Sequence, residues 1–185
     1  MHLRQWLARP GRRAWTFSFQ RFSSSFVLEP AFMKLNASAV WMGDLKNGKG
    51  VVNTESDALS QSQYFAVRDA DGKGTNPYEL IAAAHAACFS MTLANEFASA
   101  GFSPHRISTS ATITMEPLPV GWTITGVQLD VVAEVSRAKQ SDFIRATVSA
   151  KTNCMISRLL KTNISMSAKL ENSGNFGAQG TASHG

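Results

Sequence analysis

Apolar and polar residues alternate along two long stretches in the second half of the chain. Ile107, Thr109, Ala111, Ile113 and Met115 interleave with Ser108, Ser110, Thr112 and Thr114. Val127, Leu129, Val131, Ala133 and Val135 interleave with Gln128, Asp130 and Glu134. A period of two places each apolar set on one face of a sheet. Pro117 to Gly121 reads as the turn between the two strands. Ile164, Met166, Ala168 and Leu170 alternate as a last strand. Upstream, LNASAVWMGDL and KGVVNTES flank Lys46-Asn47-Gly48. Asn-Gly is a strong hairpin signal, because both turn positions of that hairpin need positive φ. SQYFAVRD reads as a further strand, ended by the loop Ala70 to Gly74.

A different pattern begins at residue 76. Asn76 suits an N-cap, Pro77 the first helical position, and Glu79 has the spacing of a capping box. Gly101 suits the residue just past the helix end. Residues 80–95 contain no Asp, Glu, Lys or Arg. That run is short of the ~20 residues needed to cross a bilayer, and His85, Ser90, Thr92 and Asn95 interrupt it. A helix apolar on nearly every face is expected to be buried on nearly every face. So short a chain can hardly surround it alone, which points to a partner subunit. Ser141 to Lys151 shows helical spacing through Phe143, Ile144, Thr147, Val148 and Lys151. A short helix follows from Cys154 or Met155 to about Lys161. Strands, long helix, strands, helix pair, strand: this order predicts an α+β fold with antiparallel sheets packed on helices.

Charge changes the picture only at one end. The chain of 185 residues has a formal net charge of +5. Arg4, Arg9, Arg12, Arg13 and Arg21 all lie before the first acidic residue, Glu29. Without those five, the 18 basic residues fall to 13, against 13 acidic ones. The body is neutral, which argues against nucleic-acid binding. Residues 1–32, rich in Arg and Ser and free of acid up to Glu29, have the composition of a mitochondrial transit peptide. The alternative is translation from Met33 and a cytoplasmic protein. Residues 33–171 are expected to form one domain, and the Gly- and Ser-rich residues 172–185 a disordered tail.

Two cysteines are too few for a disulfide-stapled secreted fold. Cys88 lies within the uncharged helix, where a thiol is ordinarily a small core hydrophobe. It sits about three turns past Pro77, beyond the reach of its own helix dipole. A reactive Cys88 therefore needs a nearby cation, and Arg68 suits that role better than His85, which reads as a hydrogen-bonded core residue. Glu79 precedes Cys88 by a rotation of about 900°, so it faces away from that thiol on the same helix. It can cap the helix and hold an arginine. Cys154, at a helix start, is expected to gain thiolate character from free N–H groups there. His85, Cys88 and Cys154 lack the spacing of a metal site. No metal and no bound cofactor is expected.

The segments WMGDLKNGKGVVNTES, GKGTNPYELIAAAHAACFSM and TNCMISRLL resemble the OsmC/Ohr family of thiol-dependent peroxidases, in its OsmC branch. The resemblance spans Leu35 to Glu171. It implies an intertwined homodimer with two central helices, outer antiparallel sheets and active sites at the subunit interface. It implies that Cys88 is the peroxidatic cysteine, Cys154 the resolving cysteine, Arg68 the active-site arginine, and Glu79 the residue orienting that arginine. The substrate implied is an organic hydroperoxide, with H₂O₂ used more weakly. The reductant implied is an external dithiol, a dihydrolipoyl group on a lipoylated protein. The family commonly has Cys-Pro at the second cysteine; here it is Cys154-Met155. Two other readings of the residues stand beside this one: a non-catalytic dimer binding an apolar ligand, and a general thiol–disulfide oxidoreductase.

Overall fold

Strand β1 (Ala37–Met42) opens the fold and pairs antiparallel with β2 (Lys49–Thr54), which pairs antiparallel with β3 (Ser62–Tyr64). The structure is a computed structural model that describes residues 33–66 and 74–171. The leader, the C-terminal tail and the 67–73 segment carrying Arg68 lie outside the described residues. The β1–β2 hairpin forms where the Asn47-Gly48 signal places it, but its turn differs from the expected one. Met42 faces Lys49, and residues 43–48 form the connection. Asp44 Oδ1 accepts from the Lys46 and Asn47 amides at 2.8 Å each, and Gly48 N–H donates to the Asp44 carbonyl at 2.7 Å. The positive φ falls on Gly43 and not on Asn47. An aspartate in reach of two amides makes its own local turn.

Helix α1 (Pro77–Ser99) matches its Asn76, Pro77 and Gly101 signals, but the Glu79 side chain forms no capping box and takes a bond from Thr75 instead. Asn76 Oδ1 accepts from the Tyr78 and Glu79 amides at 3.0 and 2.9 Å. Such a cap contributes about 1 kcal/mol. At the other end Gly101 takes φ 80°, its N–H reaches the Ala98 carbonyl, and Phe102 N–H reaches the Phe97 carbonyl. These two bonds make a Schellman motif, whose left-handed residue is most cheaply a glycine.

The second sheet has the order β4 (Pro104–Leu118), β5 (Gly121–Val135), β6 (Asn163–Glu171). β4 and β5 are antiparallel, but β6 runs parallel to β5. The other strand pairings are antiparallel, as expected, and β6 is the exception. A parallel neighbour needs a crossover, and α2 (Gln140–Asn153) with α3 (Met155–Leu159) supplies it.

The core lies between this sheet and α1 and α2. Val127, Leu129, Val131, Ala133 and Val135 are buried, as the alternation predicted. They meet Phe89, Leu93 and Phe97 of α1, and Phe143, Ala146 and Ala150 of α2. Each fully buried Leu or Phe side chain contributes about 1.5–3 kcal/mol. The Phe97 and Phe143 rings stack at 6.4 Å between centroids. α2 buries a face slightly rotated from the expected one, since Ile144 and Val148 are exposed. α1 buries one face and leaves another open: Ala83, Ala84 and Ala87 are exposed, and Met91 is 73% exposed.

Candidate active site

Cys88 and Cys154 meet although they lie on different helices. Cys88 is half-buried on the flank of α1 that turns toward α3, and Cys154 is fully buried at the joint between α2 and α3. Both thiols are free, and Cys154 is among the groups that act on the Cys88 thiol. Cys154 serves twice in the backbone, closing α2 as its C-cap and opening α3 as its N-cap. Its N–H donates to the Ala150 carbonyl at 2.9 Å, and its carbonyl accepts from Arg158 N–H at 3.0 Å. The second cysteine is thus set in place by the turn geometry of two consecutive helices.

Cys154 makes no side-chain cap bond to its own helix. The Ile156 and Met155 amides, at the second and first positions of α3, instead act on the Cys88 thiol, each favouring its thiolate. A sulfur from a neighbouring helix takes the place of the missing cap acceptor. Burial alone pushes the Cys88 thiol up, but the Ile156 amide, the Cys154 thiol and the Met155 amide outweigh it and hold Cys88 below the ordinary thiol value. Thr92 adds least: its single hydroxyl proton already reaches the Cys88 carbonyl at 2.8 Å. Donors to a charged acceptor are stronger than donors to a neutral one, so each amide favours the thiolate over the thiol. The start of α3 thus assists Cys88, a residue of a different helix.

Two further contacts hold this joint against α1. His85, one turn before Cys88, is fully buried, and its Nε2 lies 2.9 Å from Ser157 Oγ of α3. Burial pushes the His85 pKa down, which keeps the ring neutral near pH 7. On the other side, Asn153 Nδ2 donates to Glu96 Oε1 at 2.9 Å. Hydrogen bonds from Asn153 and then Ser149 lower the Glu96 pKa.

Glu79 stands apart from the thiols in its contacts. It is exposed at the start of α1, and its Oε2 accepts from Thr75 Oγ1 at 2.8 Å. Thr75 also rejoins the first sheet, with Phe65 N–H to the Thr75 carbonyl at 2.9 Å and Thr75 N–H to the Gln63 carbonyl at 3.0 Å. These bonds bring Phe65 and Thr75 together, with Thr75 joined to Glu79. Gly74, at φ 81°, allows that approach: a Cβ there would lie 2.6 Å from the Phe65 ring. Sequence reasoning missed the Ile156 and Met155 amides, because a backbone donor leaves no signature in residue type. It also missed Ser157, Asn153 and Glu96.

An α+β scaffold that sets a thiol held below its ordinary pKa near a second free thiol suits thiol-based redox chemistry. A family model described as OsmC-like protein matches residues 70–169. Peroxiredoxin OsmC of Escherichia coli is 42% identical over 134 residues, which cover 72% of this chain and 94% of that protein. An OsmC-like protein of unknown function from Vibrio cholerae has a similar solved structure. Its TM-score is 0.62 at 14% identity, covering 74% of this chain and 99% of that one. The organic hydroperoxide resistance protein OsmC from Legionella pneumophila gives 0.56 at 22% identity, covering 76% and 98%. The structural likenesses bear out the fold, and the chain belongs to the OsmC-like family.

Proposed function

We propose that this protein reduces organic hydroperoxides through a Cys88 sulfenic acid and a Cys88–Cys154 disulfide. Membership of the family, at this identity to a peroxiredoxin, makes it a peroxiredoxin-like enzyme. The observation that carries the finer reading is the pair of free thiols where α1 meets α3, with Cys154 and two amides lowering the pKa of Cys88. The Cys88 thiolate attacks the terminal oxygen of ROOH. The O–O bond breaks, RO⁻ leaves and takes a proton from solvent, and Cys88 becomes a sulfenic acid. The Cys154 sulfur then attacks the Cys88 sulfur, forming the disulfide and releasing water. An external dithiol, a dihydrolipoyl group in this reading, returns both thiols and is itself oxidised to a disulfide. Arg68, oriented by Glu79, supplies positive charge to the thiolate and to the departing alkoxide. The apolar run around Cys88, with Phe89 and Met91 beside it, favours alkyl hydroperoxides over H₂O₂.

The open apolar face of α1 supports a homodimer in which a second copy covers Ala84, Ala87 and Met91. The Arg-rich leader supports a mitochondrial location, where lipoylated proteins are found. A reporter fused to residues 1–32 is expected to be imported into mitochondria, and a reporter that stays in the cytoplasm removes that part of the reading.

The central test is mass spectrometry after one equivalent of cumene hydroperoxide. The expected product is an intramolecular Cys88–Cys154 disulfide with loss of the peroxide. In Cys154→Ser a single turnover should leave Cys88 as a trappable sulfenic acid, or over-oxidised. Two free thiols and unconsumed peroxide in the unaltered chain would sink the proposal.

A further inference from the structure

We propose that His85 is a positioning residue for the thiol chemistry, acting through Ser157 to hold the start of α3 over Cys88. The inference rests on Cys88 as the attacking thiol. The Ile156 and Met155 amides can serve that thiol only while α3 keeps its place. α3 has little of its own to keep it there. It is five residues long, none of its residues is fully buried, and its N-cap side chain makes no cap bond. A helix of one turn does not persist without outside contacts. Ile156 and Leu160 pack against the core and set the depth of α3. Apolar contacts are not directional, so they do not fix its rotation.

The directional contact from α1 is His85 Nε2 to Ser157 Oγ, at 2.9 Å, one turn before Cys88 on the same helix. Ser157 immediately follows Ile156. That bond, between side chains, adds to the amide contacts at Cys88 in fixing the rotation and approach of the start of α3. Packing alone does not account for a histidine here. Its ring is fully buried, and among the described residues Nδ1 has no hydrogen-bond partner. A buried, unpartnered nitrogen is destabilising, and an apolar side chain would fill the space without it. The Ser157 contact accounts for a polar ring at that place. Asn153 to Glu96 anchors the other side of the joint, so the segment from Asn153 to Ser157 is held to α1 at both ends.

The test is the pH profile of Cys88 alkylation by iodoacetamide in the reduced full-length chain, read at the Cys88 peptide by mass spectrometry. Ser157→Ala removes one oxygen from a half-buried side chain. It should move the Cys88 midpoint upward and slow alkylation at neutral pH about three- to tenfold, following the loss of thiolate. Ser157→Thr, which keeps the hydroxyl, should restore most of the rate. Met155→Pro sets the scale by removing one amide donor outright. Proline suits the first helical position, and Cys154 already has the extended ψ of 123° that a following proline demands. The proposal is overturned if Ser157→Ala alkylates with the unaltered midpoint, or if Ser157→Thr is displaced as far as Ser157→Ala. It is also overturned if Met155→Pro leaves the midpoint where it was. No peroxide enters this measurement. A chain that shows the expected alkylation pattern yet consumes no peroxide refutes the peroxidase reading and leaves the role of His85 standing.

Discussion

Replacing Cys88 by serine is expected to reduce the consumption of cumene hydroperoxide to the uncatalysed background. The reason is chemical and not steric. A sulfur can accept an oxygen atom and later lose it to a second thiol, whereas a serine hydroxyl has no corresponding oxidation. The substitution should leave the fold intact. Serine is smaller than cysteine, and its oxygen can accept from the same Ile156 and Met155 amides that meet the sulfur. The thermal midpoint is therefore expected to stay within a few degrees of the unaltered chain. Loss of peroxidase activity with an unchanged melting transition assigns the loss to the sulfur. Turnover at the unaltered rate would mean that another group attacks peroxide, with Cys154 the first to examine. Because Cys154 is fully buried and Cys88 is not, peroxide should reach Cys88 first.

How far the sequence foretold this site depends on the kind of signal each part leaves. The bounds of α1 were legible because they are local. Asn76, Pro77 and Gly101 each do at their own position what their chemistry favours anywhere. The buried set of β5 was legible for the same reason, since its alternation is the sheet period itself. The direction of β6 was not, because alternation reads the same for parallel and antiparallel neighbours. Direction came instead from the crossover through α2 and α3. The Asn47-Gly48 signal located a hairpin but missed its turn, which Asp44 organises from outside the dipeptide. Within the site, the thiol pair was legible as residue types, and the resemblance paired them. The source of Cys88's acidity was only half legible. That its own helix could not supply it followed from distance along α1. That a different helix supplies two amides followed only from the packing of α3, held by partners as far apart in sequence as His85 and Ser157.

Arg68→Met is expected to slow peroxide reduction about a hundredfold or more, the range found when one donor to a developing oxyanion is removed. Two separable effects are at issue. A guanidinium near Cys88 favours its thiolate before reaction, and it also stabilises the negative charge that gathers on the departing alkoxide oxygen as the O–O bond breaks. The α3 amides already favour the thiolate without any arginine. The first effect should therefore survive the substitution in part, and the second should not. The expected signature is a split. The midpoint of Cys88 alkylation should rise modestly in Arg68→Met, while the rate with cumene hydroperoxide falls much further than the loss of thiolate explains. Arg68→Lys should lie between, because lysine restores the charge without the planar fork that can address sulfur and peroxide oxygen together. Glu79→Gln should slow peroxide reduction less than Arg68→Met, since in the role proposed for it Glu79 only orients the arginine. If Arg68→Met reduces peroxide at the unaltered rate, the arginine has no part in the chemistry. If rate and thiolate fraction fall by the same factor, its part is confined to the thiolate, and the alkoxide must draw its charge stabilisation from the amides at the start of α3.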